Sequence, residues 1–274
     1  MPKPSHIELP TGEKIPILYE DRSVLAIDKP RGWMLVPFSW QRTGRNLQAA
    51  LTSSIAAKDF WARSRNLKYL RFVHRLDAET SGVLLLAKSP GAVNTFGTLF
   101  ESRKMEKVYL AVVHGKPEPA EWTCRLRLAP HPKAIGKMRV DPRQGKDAET
   151  HFRVLQSKGS TSLVEARPVT GRTHQIRVHL AESGYPVVGD RLYGPPNPDS
   201  VGRASVPASP DLSRLPKESG LAGTLALPGR AVGGQLGLRA VRLAYVDPFV
   251  RRRVEIRAPL ENFVREYGFD LPRL

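Results

Sequence analysis

Asp77 lies in Phe72-Val73-His74-Arg75-Leu76-Asp77-Ala78-Glu79-Thr80-Ser81-Gly82, a polar run that leads straight into Val83-Leu84-Leu85-Leu86-Ala87. The apolar run reads as a buried strand, so Asp77 belongs to the loop at that strand's edge. There a carboxylate is partly desolvated, fixed by a rigid element and still able to reach a ligand. Arg75 stands two residues away. A carboxylate beside a cation, placed in this way, suits a nucleophile or a general base. Taken alone, Asp77 could equally cap backbone amides in a loop.

A second group of candidates lies in Gly171-Arg172-Thr173-His174-Gln175-Ile176-Arg177-Val178-His179-Leu180. Thr170 to Thr173 reads as the lead-in to a helix over 174–182, ended by Ser183-Gly184 with Pro186 beyond. Helical spacing puts His174 and Arg177 on one face. Arg177, between Ile176 and Val178, is expected to be partly buried and so to need an anionic partner, Asp77 or a phosphate. Tyr109 alternates with Val108 and Leu110 and therefore faces away from them. A nucleic-acid base could stack on it, or it could pack as an ordinary aromatic. No metal-ligand set stands out: His174 and His179 are five apart rather than the four that aligns two ligands on a helix, and Cys124 is the lone cysteine. One cysteine allows no internal disulfide, and beside Trp122, Leu126 and Leu128 it reads as a small apolar residue on a half-buried strand. There is no glycine-rich phosphate loop and no serine elbow.

The elements that would position these residues follow from periodicity. Strands are expected at 24–27, 82–87, 107–114, 150–155, 162–166, 238–246 and 252–257, and helices at 44–57, 91–104 and 174–182. Lys29-Pro30-Arg31-Gly32 stops the first strand, and Ser157-Lys158-Gly159-Ser160 reads as a turn between antiparallel neighbours. Many short strands with few helices indicate an α+β domain on a mainly antiparallel sheet. Residues 1–17 are polar and broken by proline, which predicts an N-terminal arm ahead of one domain over 18–274. Pro, Gly and Ser fill nearly half of 194–235 without periodicity, which predicts a flexible surface insertion.

The chain has 274 residues, enough for a sizeable core. It carries 43 Lys and Arg against 26 Asp and Glu, a formal net charge of +17. Such a surface attracts polyanions, most commonly nucleic acid. A membrane partner is not expected, because no basic amphipathic helix, lipidation signal or apolar run of spanning length is present. The first residues, Met1-Pro2-Lys3-Pro4-Ser5-His6, lack an apolar signal core, so a cytoplasmic location is expected.

Several stretches, taken together and in order from residue 18 to about 257, resemble the RluA-type RNA pseudouridine synthases. They are Leu18-Tyr19-Glu20-Asp21 with Val24-Leu25-Ala26-Ile27-Asp28-Lys29-Pro30; His74-Arg75-Leu76-Asp77-Ala78-Glu79-Thr80-Ser81-Gly82; Lys107-Val108-Tyr109-Leu110-Ala111; Gly145-Lys146-Asp147-Ala148-Glu149-Thr150; and Gly171 to Leu180 with Gly189-Asp190-Arg191-Leu192-Tyr193-Gly194. The resemblance implies a mixed, mainly antiparallel catalytic sheet with a cleft along it. It implies isomerisation of specific uridines to pseudouridine in structured RNA, tRNA or rRNA, with no cofactor or metal and no obligate protein partner, by a monomer. It makes Asp77 the catalytic carboxylate, pairs Arg177 with it, stacks Tyr109 on the target base and gives Arg75 the task of displacing the target nucleotide. His74, Lys29, Arg172, His174 and Gln175 are expected on the substrate side of the same site.

Two departures from the family pattern stand out. An N-terminal S4-type RNA-binding domain, common in relatives, is expected to be absent, since only 17 residues precede the first motif. Leu238-Arg239-Ala240 stands where the family often has Leu-His-Ala. Two other functions fit parts of the pattern. A non-catalytic RNA-binding protein could retain the fold. A hydrolase acting on glycosidic bonds in RNA would need a second, water-activating carboxylate, for which no candidate adjoins Asp77.

Overall fold

A computed structural model describes residues 2–35, 45–194 and 234–272. Its elements run β1 (His6–Glu8), β2 (Lys14–Glu20), β3 (Val24–Lys29), α1 (Leu47–Ala56), α2 (Phe60–Arg63), β4 (Arg71–Phe72), β5 (Ser81–Ala87), α3 (Pro90–Glu101) and β6 (Glu106–His114). They continue with β7 (Glu121–Cys124), β8 (Leu128–Pro130), β9 (Met138–Val140), β10 (Thr150–Lys158), β11 (Thr161–Pro168), α4 (Gln175–Glu182), β12 (Leu238–Val246), β13 (Arg253–Arg257) and α5 (Glu261–Glu266). Eleven strands form one mixed sheet in the order β1-β2-β3-β5-β12-β6-β11-β10-β7, with β13 added to β12 and β4 to β5. Its pairings are antiparallel except β5 with β12. The short β8–β9 ladder stands apart from it.

The continuous apolar run of β5 is explained by its position. Every residue of the strand is buried. Leu84 and Leu86 join Leu25, Ile27, Trp33 and, from α1, Leu47 and Leu51 on one face. Val83, Leu85 and Ala87 join Val24, Ala26, Leu243, Tyr245 and, from α3, Phe96 on the other. Each fully buried leucine contributes about 2 kcal/mol, so both faces hold the strand whose leading loop carries Asp77. The far half of the sheet repeats the plan: Ala111, Val113 and Val164 pack on Ile176 and Leu180 of α4, and Val108, Leu110 and Leu163 pack on Phe263 and Val264 of α5.

Gly82 lets the parallel pair form. It has φ +110°, and a Cβ there would lie 2.0 Å from the carbonyl oxygen of Ala240 on β12. Helix starts follow their capping residues: Asn46 accepts from the N–H of Ala49, and Ser89 accepts from that of Ala92 with Pro90 opening α3.

Four expectations are corrected. Residues 1–17 are not an arm: β1 and β2 form a hairpin on the sheet edge, with Ile7, Leu9 and Ile15 buried in the core. Only alternate residues of such an edge need be apolar, so the stretch reads as polar. The turn between β10 and β11 is two residues, Gly159-Ser160, because Lys158 already pairs with Thr161. The segment around Cys124 is two strands, β7 and β8, in different sheets. Helix 44–57 begins later, at Leu47, and residue 44 lies outside the described residues, as do 195–233 of the expected insertion.

Candidate active site

The Asp77 loop is pinned from beneath. Leu76 is buried in the core. Lys29, fully buried at the end of β3, donates to the carbonyls of Pro30, Ala78 and Thr80 at 3.0, 2.8 and 2.9 Å. Burial pulls its amine down to about 8, against the opposing charges of Glu79 and Asp77. The turn closes on itself through the N–H of Thr80 to the carbonyl of Asp77. Asp77 thus sits on a clamped turn with its side chain 24% exposed.

Arg177 reaches Asp77 from α4. It is 6% exposed. Its Nε and Nη2 donate to both oxygens of Asp190 at 2.7 and 2.8 Å, and its Nη1 donates to Asp77 Oδ2 at 3.1 Å. Burial disfavours the guanidinium's charge, but Asp190 and Asp77 outweigh it and hold its pKa above the ordinary value. Asp190 is in turn fixed by the N–H groups of Leu192 and Tyr193 at 2.9 and 3.1 Å. Burial raises its pKa, and Arg177 with those amides brings it below the usual carboxylate value. A bidentate fork of this kind orients as well as binds.

His174 and Tyr193 complete this side. His174 takes a left-handed conformation, φ +52°, immediately before α4. That turn brings Nε2 to 3.8 Å from Asp77 Oδ1 and Nδ1 to 2.8 Å from the Tyr193 hydroxyl. Burial lowers the pKa of His174, with Asp77 opposing the shift.

Tyr109 faces the cleft from β6. Its neighbours across the two flanking strands are Ala166 and Ala240, small residues that leave room beside the ring. Burial pushes its phenol pKa up, and Asp77 adds to this. Lys107, two residues earlier on the same strand face, donates to the carbonyl of Thr170 at 2.9 Å. Burial pulls it down to about 8, and Arg103 pushes the same way. Arg75 is exposed and hydrogen-bonds to the Thr173 hydroxyl across the cleft. Arg172 donates from Nε to the carbonyl of Asp147 at 2.9 Å. Together these residues line a cleft of about 360 Å³.

The cleft brings together Asp77, Arg177, Tyr109, Arg75, Arg172 and His174. Three other candidates, Lys29, Gln175 and His74, spend polar atoms on bonds inside the protein. The ammonium of Lys29 is consumed by three carbonyls, as above. Gln175, 4% exposed, accepts from the Thr170 hydroxyl and the N–H of Arg172, and donates to the Glu149 carbonyl and the Thr150 hydroxyl. The ring of His74 accepts the N–H of Leu85 at 3.0 Å and stacks on Phe100 at 4.6 Å. Burial, with Lys107 nearby, pulls that imidazole down to about 3. The Lys29 ammonium lies outside the cleft lining, whereas Gln175 and His74 border the cleft while bonding inside the protein.

Three residues of the site were not singled out by sequence: Asp190, Tyr193 and Lys107. Lys107 carried a readable signal, since period two puts it on the face of Tyr109. Asp190 and Tyr193 lay in a quoted motif, but only the fold brings them under Arg177. Arg239 points elsewhere. It is 8% exposed and bonds Asp28, Ser81 and the carbonyl of Pro259. Among the described residues, no group of three or more His, Cys, Asp or Glu could hold a metal ion, and no helix is long and apolar enough to cross a membrane.

Residues 23–182 match the family model for RNA pseudouridylate synthase. A relative from Synechocystis, an uncharacterised RNA pseudouridine synthase, is 34% identical over 187 residues, which cover 68% of this chain and 56% of that protein. The chain thus spans little more than half the length of this relative. The ribosomal large subunit pseudouridine synthase C of Buchnera aphidicola is 31% identical over 258 residues, covering 92% of this chain and 69% of that one. A solved human structure, RNA pseudouridylate synthase domain containing 4, shares the fold with a TM-score of 0.66 at 23% identity over 94% of both chains. Its likeness supports the mixed-sheet α+β class, and the family model with the Buchnera relative carries the assignment: the chain belongs to the RNA pseudouridine synthase family.

Proposed function

We propose that this chain isomerises uridine to pseudouridine in structured RNA, tRNA or rRNA, with Asp77 as the reacting carboxylate. The observation that carries the reading is Asp77 itself. One oxygen is bound by Arg177; among the described residues the other has no closer partner than His174 at 3.8 Å, and the group opens into a cleft beside Tyr109.

The reaction breaks the C1′–N1 bond, turns the uracil, joins C1′ to C5 and releases the C5 proton. Asp77 can attack C1′ and be displaced when C5 bonds to it, or remove the C2′ proton and return it. Both routes use the ionised carboxylate on a fixed turn. Tyr109 supplies a stacking surface for the extruded base, and Arg75, exposed at the cleft mouth, takes the space the base leaves. Lys107 and Arg172 add positive charge for the phosphate backbone. The reading takes the protein to be a cytoplasmic monomer that needs no metal or cofactor. Hydrolysis would need a second carboxylate to activate water. Asp190, the other acid on Arg177, has no exposed side-chain surface.

Tritium release from tRNA and rRNA labelled at uridine C5 tests the reading. Isomerisation expels that hydrogen, so release and recovery of pseudouridine are expected on at least one of the two RNAs. Tight RNA binding with no release on either would point to a binding protein, and free uracil would point to a hydrolase.

A further inference from the structure

Tyr193 has no part in the chemistry above, yet it touches two components of the site and a neighbouring backbone amide. The N–H of Met138, at the start of β9, donates to its Oη at 2.7 Å. The same oxygen lies 2.8 Å from Nδ1 of His174. Its ring lies beside the Arg177 guanidinium, 5.2 Å from carbon to centroid. A phenol has one proton to give, and a backbone N–H can only donate, so Met138 occupies an acceptor position of the oxygen. Among the described residues, Nδ1 of His174 is the one acceptor that hydrogen-bonds this hydroxyl.

We propose that Tyr193 donates its hydroxyl proton to Nδ1 of His174 and so fixes the neutral tautomer that carries its proton on Nε2, the nitrogen facing Asp77. Which ring nitrogen holds the proton is set by the bond made at the other. Asp77 then meets two N–H groups of fixed direction: Nη1 of Arg177 on Oδ2, and Nε2 of His174 on the side of Oδ1. Tyr193 is a positioning residue that acts through His174 and, by its ring, on Arg177. The charged groups around the imidazole are Asp77 and Arg75 from the loop before β5, Arg177 on α4 and Asp190 beyond it. The two acids favour the imidazolium and the two arginines oppose it, while burial, the largest influence, shifts the balance toward the neutral ring.

The kinetic consequence rests on Asp77 being the reacting carboxylate, but the tautomer does not. Long-range 1H–15N spectra of the whole protein labelled at histidine nitrogen read the tautomer directly, with H174Q assigning the signal. At neutral pH the expected result is a bare Nδ1 and a protonated Nε2. A proton on Nδ1, or a doubly protonated ring, overturns the proposal. In Tyr193→Phe the ring is expected to sample both tautomers and to take up a second proton at higher pH. Loss of one positioned hydrogen bond lowers kcat about tenfold at unchanged KM for RNA, and shifts the acid limb of the pH–rate profile upward. A Tyr193→Phe protein with the wild-type tautomer and kcat also overturns it. Should Asp77→Asn retain turnover, the functional reading fails, and the spectra still decide the tautomer.

Discussion

Arg177 on α4 and Arg239 on β12 are both nearly buried, and both are held by aspartates. Arg239 spans β5 from one side to the other: it donates to Asp28 on β3 at 2.7 Å and to the Ser81 hydroxyl on β5 at 3.1 Å. All its partners belong to the protein, and one oxygen of Asp28 is buried without a hydrogen bond. Arg177 has two aspartates. Asp190 takes the fork of its guanidinium, which leaves Nη1 for a second carboxylate that opens into the cleft. The difference is where the second acceptor faces. A buried ion pair whose acceptors are all internal ties strands together, whereas one with an acceptor at a cavity wall holds a reactive group in place.

The widest separation between the two arginines is expected from Arg177→Met. It should lower kcat by about a hundredfold or more, since it frees the carboxylate that must be oriented. RNA affinity, carried by the wider basic surface, should change little. Single-turnover rates and filter binding check both. Arg239→Met should do the reverse, costing about 2 kcal/mol of stability by leaving the half-buried Asp28 without its cation, with kcat within about twofold of wild type. Urea unfolding measures the loss, and Arg239→Met combined with Asp28→Leu should recover most of it. A large kcat loss in Arg239→Met would erase the comparison.

Acid provides a finer contrast, between a buried histidine and the cleft. His179, two residues beyond Arg177 on α4, has its ring between the Thr150 hydroxyl and the Leu126 carbonyl. Burial pulls its pKa from 6.5 to about 4. The unfolded chain therefore binds more protons in that window, and the stability this ring contributes above pH 6.5 is lost as pH falls toward 4. Where only the unfolded ring is protonated, the slope is about 1.4 kcal/mol per pH unit. His74, pulled further to about 3, acts in the same direction. Unfolding free energies between about pH 7 and about pH 5 should flatten in His179→Gln relative to wild type. The smallest effect separates phosphate contacts from the site. Single charge removals such as Arg172→Gln should reduce the dependence of log affinity on log salt by about one unit, leaving the rate on bound RNA unchanged.

The same contrast explains what could be read from sequence. Arg177 flanked by Ile176 and Val178 announces a buried cation that needs an anion, and Asp77 at the mouth of an apolar strand announces a held carboxylate. The residues alone left that anion open between Asp77 and a phosphate, and the family resemblance pointed to Asp77; the structure pairs the two at 3.1 Å, although 100 residues separate them. The strand β5 was legible because both its faces are buried, which makes the run continuous. The hairpin β1–β2 was not, because an edge strand needs only alternate apolar residues. Asp190 was missed because nothing local says that its carboxylate meets a guanidinium on another element. Lys29 and Gln175 were read as facing the substrate because they adjoin the motif residues. Adjacency in sequence does not show which way a side chain turns: the Lys29 ammonium is spent on three carbonyls, and the Gln175 amide, at the cleft wall, bonds four groups of the protein.

The central claim is that the carboxylate of Asp77 reacts with the nucleotide while the groups around it orient it. The most direct measurement is single-turnover tritium release from C5-labelled RNA by Asp77→Asn, with enzyme in excess and binding confirmed on the same samples. Wild-type RNA affinity and no release above background are expected. Release at a rate near wild type from the bound RNA would contradict the central claim and move the chemistry to another residue of the cleft.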